Sequence, residues 1–227
     1  MTSLIRLILA AAVVSTVTAA PATTLIDTDA PDFEIGSRDV LAARQSPNYN
    51  QDYTTGNTVS YTAASDGYSV SFTGASDFVV GKGWSKGTNR SITFSGSTTA
   101  SSGTVLLAVY GWSKNPLIEY YVQEYSNGAG AAQGEKVGSY TSDGSTYEIW
   151  KHQQVNQPSI VSSSSTFWQY ISVRQNQRTS SGTVTVANHF AAWAKNGLDL
   201  GTLDYQVMAT EGWNKATGSS HYTLSSS

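Results

Sequence analysis

From Gln45 onward, apolar and polar side chains alternate along many short stretches of the chain. Alternation of this kind is typical of β-strands, in which successive side chains point to opposite faces of a sheet. The clearest examples are residues 68–72, 91–95, 147–150 and 183–186. Clusters of Gly, Asn, Asp and Ser separate the stretches, as hairpin connections require. The pattern predicts many short antiparallel strands arranged as a sandwich or a barrel.

One segment departs from the alternation. Residues 188–196 place Phe190, Trp193 and Ala194 at helical spacing, and Gly197 follows directly. Glycine commonly ends a helix because it adopts the left-handed backbone conformation without strain. We therefore expect a single helix that packs on the sheet.

The N-terminal region has a different composition from the rest of the chain. Arg6, an apolar run over residues 7–14 and small residues up to Ala19 have the order of a secretory signal peptide, residues 1–19. Residues 20–44 are acidic, nearly free of aromatic side chains and end at Arg44. We expect them to form a pro-segment, with an ordinary N-terminal tail as the alternative. The folded domain is predicted to span residues 45–227, in a secreted, extracellular protein.

Charge and composition exclude several classes of function. Only 13% of the residues are charged and the net charge is −3, so no basic surface for nucleic acid is expected. The chain has no cysteine and only three scattered histidines, which argues against a metal or other cofactor. No apolar run reaches the ~20 residues that a membrane-spanning helix needs, so no membrane partner is expected.

Two glutamates stand in apolar, aromatic strands. By alternation, Glu119 shares a face with Leu117 and Tyr121, and Glu211 shares a face with Tyr205. A carboxylate is costly to bury unless it is hydrogen-bonded or used. Two carboxylates on opposite sides of a bound sugar are what glycoside hydrolysis requires, and the 11% aromatic content suits a carbohydrate groove. Two packed apolar layers without a groove are the alternative explanation of the aromatic residues.

At these residues the sequence resembles the endo-1,4-β-xylanases of glycoside hydrolase family 11. The resemblance extends from about Asn48 to the C-terminus, and its motifs are specific in combination. They lie at residues 77–84, 109–112, 116–121, 156–160, 188–190 and 205–211.

The resemblance implies an all-β fold, a β-jelly-roll sandwich of two twisted antiparallel sheets with a single α-helix. It implies a monomeric, cofactor-free endo-1,4-β-xylanase that acts on xylan with retention of configuration. Glu119 is then the nucleophile and Glu211 the general acid/base, with their carboxyl groups about 5 to 5.5 Å apart. Asp77 is expected to contact the acid/base and to give an acidic pH optimum.

The resemblance also assigns a set of substrate-binding residues around the two glutamates. They are Tyr49, Tyr53, Tyr110, Tyr121, Gln154, Pro158, Gln169 and Tyr205.

The chain departs from the family pattern at two places. Gln154 stands where the family usually has an arginine, so a cation near Glu119 is lost unless Lys151 or another group substitutes for it. Residues 161–166 lack the usual glycine of the thumb, the hairpin that overhangs the cleft. The first departure leaves open a second hypothesis, a catalytically weakened, lectin-like xylan-binding module on the same fold. A cellulase with a related jelly roll is the other competitor.

Overall fold

The structure is a computed structural model that describes residues 45–227, which form ten strands and one helix. The predicted signal peptide and pro-segment lie outside the described residues. In chain order, the elements are β1 Tyr49–Thr54, β2 Val59–Ala63, β3 Gly67–Trp84, β4 Ser91–Lys114, β5 Ile118–Ser126, β6 Glu135–Ser142, β7 Ser145–Gln157, β8 Ser165–Arg174, β9 Ser181–Thr185, α1 Val186–Lys195 and β10 Thr202–Ser226.

Three strands are much longer than the alternation predicts. β3, β4 and β10 have 18, 24 and 25 residues, so the expectation of short strands is wrong for these three. Each of them has a backbone irregularity near its middle, with positive φ at Gly74, Gly103 and Asn214. The pairing register of β10 shifts in the same region. Such irregularities bend a strand without ending it, so one strand can serve two layers.

The two predicted sheets are therefore two layers of one hydrogen-bonded sheet. In the first layer, β2 and β9 pair with the N-terminal parts of β3 and β4. In the second layer, β1 and β5 pair with the C-terminal parts of the same strands, and β8, β7 and β6 extend it. All pairs are antiparallel except β5 with β8, which is parallel. The all-antiparallel prediction is wrong at this pair. Strands β6 and β7 lie between β5 and β8 in the chain, so β8 can enter the sheet beside β5 and run in the same direction.

The C-terminal half of β4 shows how the second layer is buried on both faces. Val105, Leu107 and Val109 belong to the apolar cluster between the layers, which we call the inner core. Leu106 and Tyr110 belong to a second cluster on the opposite face, which we call the cleft floor. Alternation thus assigns neighbouring residues of one strand to two separate clusters.

The helix lies on the inner-core side, away from the cleft floor. It begins at Val186, two residues before the predicted start, and is followed by Gly197 with a φ of 71°. Its buried face includes Val186, His189 and Trp193, and the Trp193 indole donates a hydrogen bond to Ser172 Oγ at 3.0 Å. Ala194, expected on the packed face, is exposed. Within residues 45–227, no helix is long and apolar enough to cross a membrane.

Candidate active site

A cleft of about 570 Å³ lies over the cleft floor, between β1 and the loop that joins β7 to β8. The structure brings all the residues assigned from the sequence to its walls. They are Tyr49, Tyr53, Asp77, Tyr110, Glu119, Tyr121, Gln154, Pro158, Gln169, Tyr205 and Glu211. Glu119 and Tyr121 of β5 face this cleft, as do Tyr205 and Glu211 of β10, as alternation predicts.

Glu119 lies on β5, between Trp112 of β4 and Gln169 of β8. It is 8% exposed, and each carboxylate oxygen accepts one hydrogen bond. The Tyr110 hydroxyl donates to Oε1 at 2.7 Å, and the Gln169 side-chain amide donates to Oε2 at 2.7 Å. Burial raises the pKa of Glu119, whereas these hydrogen bonds favour the ionised form and oppose the rise. The site is therefore built to hold a carboxylate without a cation.

Glu211 lies on β10, opposite Val79 of β3 and Leu106 of β4. Its Oε2 is enclosed, and no group in the described part of the chain donates a hydrogen bond to it. Burial, then the negative charge of Glu119 and then that of Asp77 hold the pKa of Glu211 well above its ordinary value. Of the two glutamates, Glu211 is consequently the one that keeps its proton to higher pH.

Tyr121 connects the two carboxyl groups. Its side chain interacts with both Glu119 and Glu211. Burial raises the pKa of its phenol, and so does the charge of Glu119 or of Glu211 whenever either is ionised. The hydroxyl is therefore neutral and available as a donor to whichever carboxylate is charged. The two glutamates thus face one shared space, with different protonation states favoured on its two sides.

Asp77 lies on β3 at the edge of the same space. It is paired in register with Trp213, two residues beyond Glu211 on β10. Burial raises the pKa of Asp77, and the nearby Tyr53 hydroxyl partly offsets the rise. Because Asp77 and Glu211 influence each other electrostatically, their titrations are coupled.

Tyrosines form one wall of the cleft. The Tyr49 and Tyr205 rings are stacked, with centroids 4.8 Å apart and planes 20° apart. Tyr110 lies 6.0 Å from Tyr205, and Tyr53 is 40% exposed further along β1. Rings with flat apolar faces and hydroxyl edges suit the alternating C–H and O–H surface of a sugar.

The thumb loop, residues 158–164, forms the opposite wall. It turns without the glycine that the resemblance led us to expect. Ser159 donates its backbone N–H to Ser162 O at 2.8 Å, its hydroxyl lies 2.9 Å from Ser165 Oγ, and it accepts a bond from the Ser162 N–H at 3.3 Å. A side chain that bonds to nearby backbone groups replaces the conformational freedom of glycine.

The charged residues around the cleft show whether another cation takes the place of the arginine expected at position 154. Among the described residues that line the cleft, Lys114 is the one cation, and its ammonium group pairs with Asp204 at 2.7 Å. Lys151 lies on the other face of β7, 3.1 Å from Glu135 and over the Trp168 ring. The suggestion that Lys151 replaces the missing arginine is therefore wrong, because the alternation of β7 turns residues 151 and 154 to opposite faces.

Trp112 is a site residue that the sequence assignment missed. It lines the cleft, is 3% exposed, and its indole N–H donates to the Tyr110 hydroxyl at 2.7 Å. Its position two residues after Tyr110 on the same strand was the available signal, since residues at i and i+2 share a face. Lys114 and Asp204 were missed because a surface ion pair leaves no distinctive pattern in a sequence.

Comparisons with known proteins agree with this geometry. The family model described as "Glycosyl hydrolases family 11" matches residues 45–223. Ethylene-inducing xylanase 2 of Botryotinia fuckeliana is 55% identical over 173 residues, 76% of this chain and 77% of the relative. Endo-1,4-beta-xylanase 1 of Hypocrea jecorina is 52% identical over 194 residues, 86% and 83% of the two chains.

A solved structure shares the fold. It comes from a comparison of two major endo-1,4-β-xylanases of Trichoderma reesei and superposes with a TM-score of 0.75 at 52% identity. The match covers 79% of this chain and 99% of the other. The jelly-roll prediction is thereby confirmed.

Proposed function

The chain belongs to glycoside hydrolase family 11, and from this premise we propose that it is an endo-1,4-β-xylanase that cleaves xylan with retention of configuration. The observation that carries the proposal is the difference between two buried glutamates in one cleft. Glu119 receives a hydrogen bond on each oxygen, whereas Glu211 has an enclosed oxygen without a donor in the described chain and a pKa held well above its ordinary value.

In the first step, the ionised Glu119 attacks the anomeric carbon of the sugar bound beside it. The bond from that carbon to the leaving oxygen breaks, and Glu211 transfers its proton to the oxygen as general acid. The product is a covalent glycosyl ester of Glu119. This double displacement requires carboxyl groups about 5 to 5.5 Å apart, too close for a water molecule to attack directly.

In the second step, Glu211 acts as a base. Ester formation removes the negative charge of Glu119, which is the second largest cause of the raised pKa of Glu211. The pKa of Glu211 therefore falls, and its carboxylate accepts a proton from the water that attacks the ester. The sugar leaves with its original configuration, and Glu119 is again ionised.

The substrate-binding residues supply neutral contacts. Burial raises the pKa of the Tyr49 and Tyr205 phenols, so both remain hydrogen-bond donors across the range in which the enzyme works. We assign Tyr49 and Tyr53 to sugar stacking, Tyr205 to binding of the adjacent sugar, and Pro158 to the thumb side of the cleft. A cleft with tyrosine walls and few charges fits an uncharged polysaccharide.

We further propose that the protein is secreted and works as a monomer with an acidic pH optimum. The N-terminal sequence of a signal peptide supports secretion. In the described domain, four large apolar side chains are exposed, which is few for an obligate interface: Tyr53, Val155, Val161 and Trp168. The coupling of Asp77 with Glu211 supports the acidic optimum, and a rate that peaks at or above neutral pH would refute it.

The proposal is tested by reducing-sugar release from xylan and from soluble cellulose, between acidic and neutral pH. We expect release from xylan alone, and its loss in Glu119→Gln and in Glu211→Gln. Proton NMR of the first products should show the β-anomer, as retention requires. Binding of xylan by the wild-type chain without release would instead identify a lectin-like module, and release from cellulose would identify a cellulase.

A further inference from the structure

Two hydrogen-bonded chains end on the two oxygens of Glu119. On one side, the Trp112 indole N–H donates to the Tyr110 hydroxyl, which donates to Oε1, with both distances 2.7 Å. On the other side, the Gln154 amide donates to Gln169 Oε1 at 3.3 Å, and the Gln169 amide donates to Oε2 at 2.7 Å. Each oxygen of Glu119 is therefore the last acceptor in a chain of hydrogen bonds made by two residues.

The direction of the first chain follows from donor chemistry. An indole N–H can only donate, so the Tyr110 hydroxyl accepts the bond from Trp112 and must aim its own proton elsewhere. The ionised Glu119 is the acceptor within reach. Trp112 is held by burial and by the Phe167 ring, whose centroid lies 4.8 Å away.

The direction of the second chain also follows from donor chemistry, here that of two side-chain amides. An ionised Glu119 accepts only, so Gln169 must turn its amide nitrogen toward Oε2 and its carbonyl oxygen away. The Gln154 amide nitrogen donates to that carbonyl oxygen and so opposes a flip of the Gln169 side chain. Donor chains of this kind strengthen the last bond because each member polarises the next.

We propose that Trp112 and Gln154 are positioning residues that fix the direction of the two hydrogen bonds received by Glu119. Through neutral groups, they stabilise the Glu119 carboxylate as a neighbouring cation would. Lys114 is the one cation among the cleft-lining residues of the described chain, and it is paired with Asp204. The inference deepens the proposed function and rests on it, because Glu119 is taken as the nucleophile.

The test uses Gln154→Met, which keeps the length of the side chain and removes the donor. The matched control is Gln153→Met, since Gln153 is exposed and points to the other face of β7. Loss of the donor raises the pKa of Glu119, so the acid limb of kcat/KM on soluble xylan should move up by about 0.5 pH unit. Gln154→Arg keeps a donor and adds a charge, and should move the limb down. The control should leave it in place.

Trp112→Phe tests the other chain, because it keeps an aromatic ring against Phe167 and removes the N–H. Trp193→Phe is its control, since this variant also loses a buried indole hydrogen bond, to Ser172, but has no path to Glu119. Both should lower the melting temperature, and only Trp112→Phe should move the acid limb upward. If Trp112→Phe does not fold, the Gln154 variants still decide the question.

A carbon-13 NMR titration of the glutamate carboxyl groups, assigned with Glu119→Gln, gives a readout that does not need turnover. An unmoved Glu119 titration in Gln154→Met and Trp112→Phe would overturn the positioning roles, whatever the activity. If the wild-type chain releases no sugar from xylan but the titration shifts as expected, the proposed function fails and the hydrogen-bond chains stand.

Discussion

Strand β5 buries two glutamates on opposite faces, and only one of them meets a cation. Glu119 faces the cleft and receives bonds from neutral groups alone. Glu124 is 0% exposed on the inner-core side, where its carboxylate pairs with Arg178 and lies 3.9 Å from Arg174. The Tyr147 hydroxyl donates to its other oxygen at 2.7 Å.

The difference explains why the same residue type serves two purposes on one strand. The charge of Glu124 is matched by two guanidinium groups in a closed environment, so it holds the end of β8 and the segment before β9 to β5. Glu119 is stabilised only by hydrogen bonds and opens to the cleft, so its carboxylate remains able to react. A buried carboxylate indicates a reactive site when its charge is left unmatched beside a cavity.

The largest expected effect is the loss of activity in Glu119→Gln, by about 10⁴-fold in kcat. The amide keeps the shape of the side chain and cannot attack the sugar. Because burial raises the pKa of Glu119, the folded state disfavours its charge above that pKa. The free energy of unfolding at neutral pH should consequently stay equal or increase. Xylan hydrolysis and urea unfolding measure the two effects, and a strongly destabilised variant would contradict the comparison.

Glu124→Gln should show the reverse behaviour. The variant leaves the buried Arg174 guanidinium and the partly buried Arg178 guanidinium without a counter-charge, which costs about 3 kcal/mol of unfolding free energy. Activity per folded molecule should remain near that of the wild type, because Glu124 lies on the face of β5 away from the cleft. Urea unfolding and kcat at a temperature where the variant is folded would check this. A folded but inactive Glu124→Gln variant would contradict the separation of roles between the cleft face and the inner-core face of β5.

Asp77→Asn should change the pH profile by about one pH unit. In the wild type, we expect activity to require both protons of the coupled pair of Asp77 and Glu211, so the alkaline limb follows the first proton that the pair loses. In the variant, the functional proton resides on Glu211 alone, and the two largest causes of its raised pKa, burial and Glu119, remain. The alkaline limb of kcat/KM should therefore move to higher pH. A limb that stays in place or moves down would show that the pair does not share the functional proton.

The smallest effect concerns Asp143, a carboxylate that also relies on neutral donors. Its oxygens accept bonds from the Thr185 N–H at 3.0 Å and the Thr185 hydroxyl at 2.7 Å, at the start of α1. Burial opposes its charge, but the side-chain contact with His189 and the Thr185 bonds together hold the pKa of Asp143 well below its ordinary value.

The depressed pKa of Asp143 determines the pH range in which its carboxylate stabilises the fold. A group of this kind stabilises the fold above its unfolded pKa of about 4 and loses that contribution as the pH falls. Asp143→Asn should cost about 1 kcal/mol at pH 7 and less at pH 3, measured by urea unfolding at both values. An equal cost at the two pH values would contradict an ionised Asp143 carboxylate.

Local signals in the sequence account for part of the fold. Alternation locates the strands around residues 68–72, 91–95 and 147–150, and Gly197 marks the end of α1, because these preferences act between near neighbours. The continuity of β4 through 24 residues has no such signal. A bend at Gly103 is a local event, but whether the strand goes on beyond it depends on partners far away in the chain.

The sequence by itself determined the family and the central residues of the cleft, since its motifs carry Asp77, Glu119 and Glu211. It did not identify Trp112, Lys114 or Asp204 as lining residues. Only the tertiary structure decided which buried carboxylate meets a cation. Glu119 and Glu124 both stand in an apolar strand, and alternation says that they face apart without saying which face opens to solvent. That choice depends on the packing of β7, β8 and α1, which brings Arg174 and Arg178 to one face and leaves the other to the cleft.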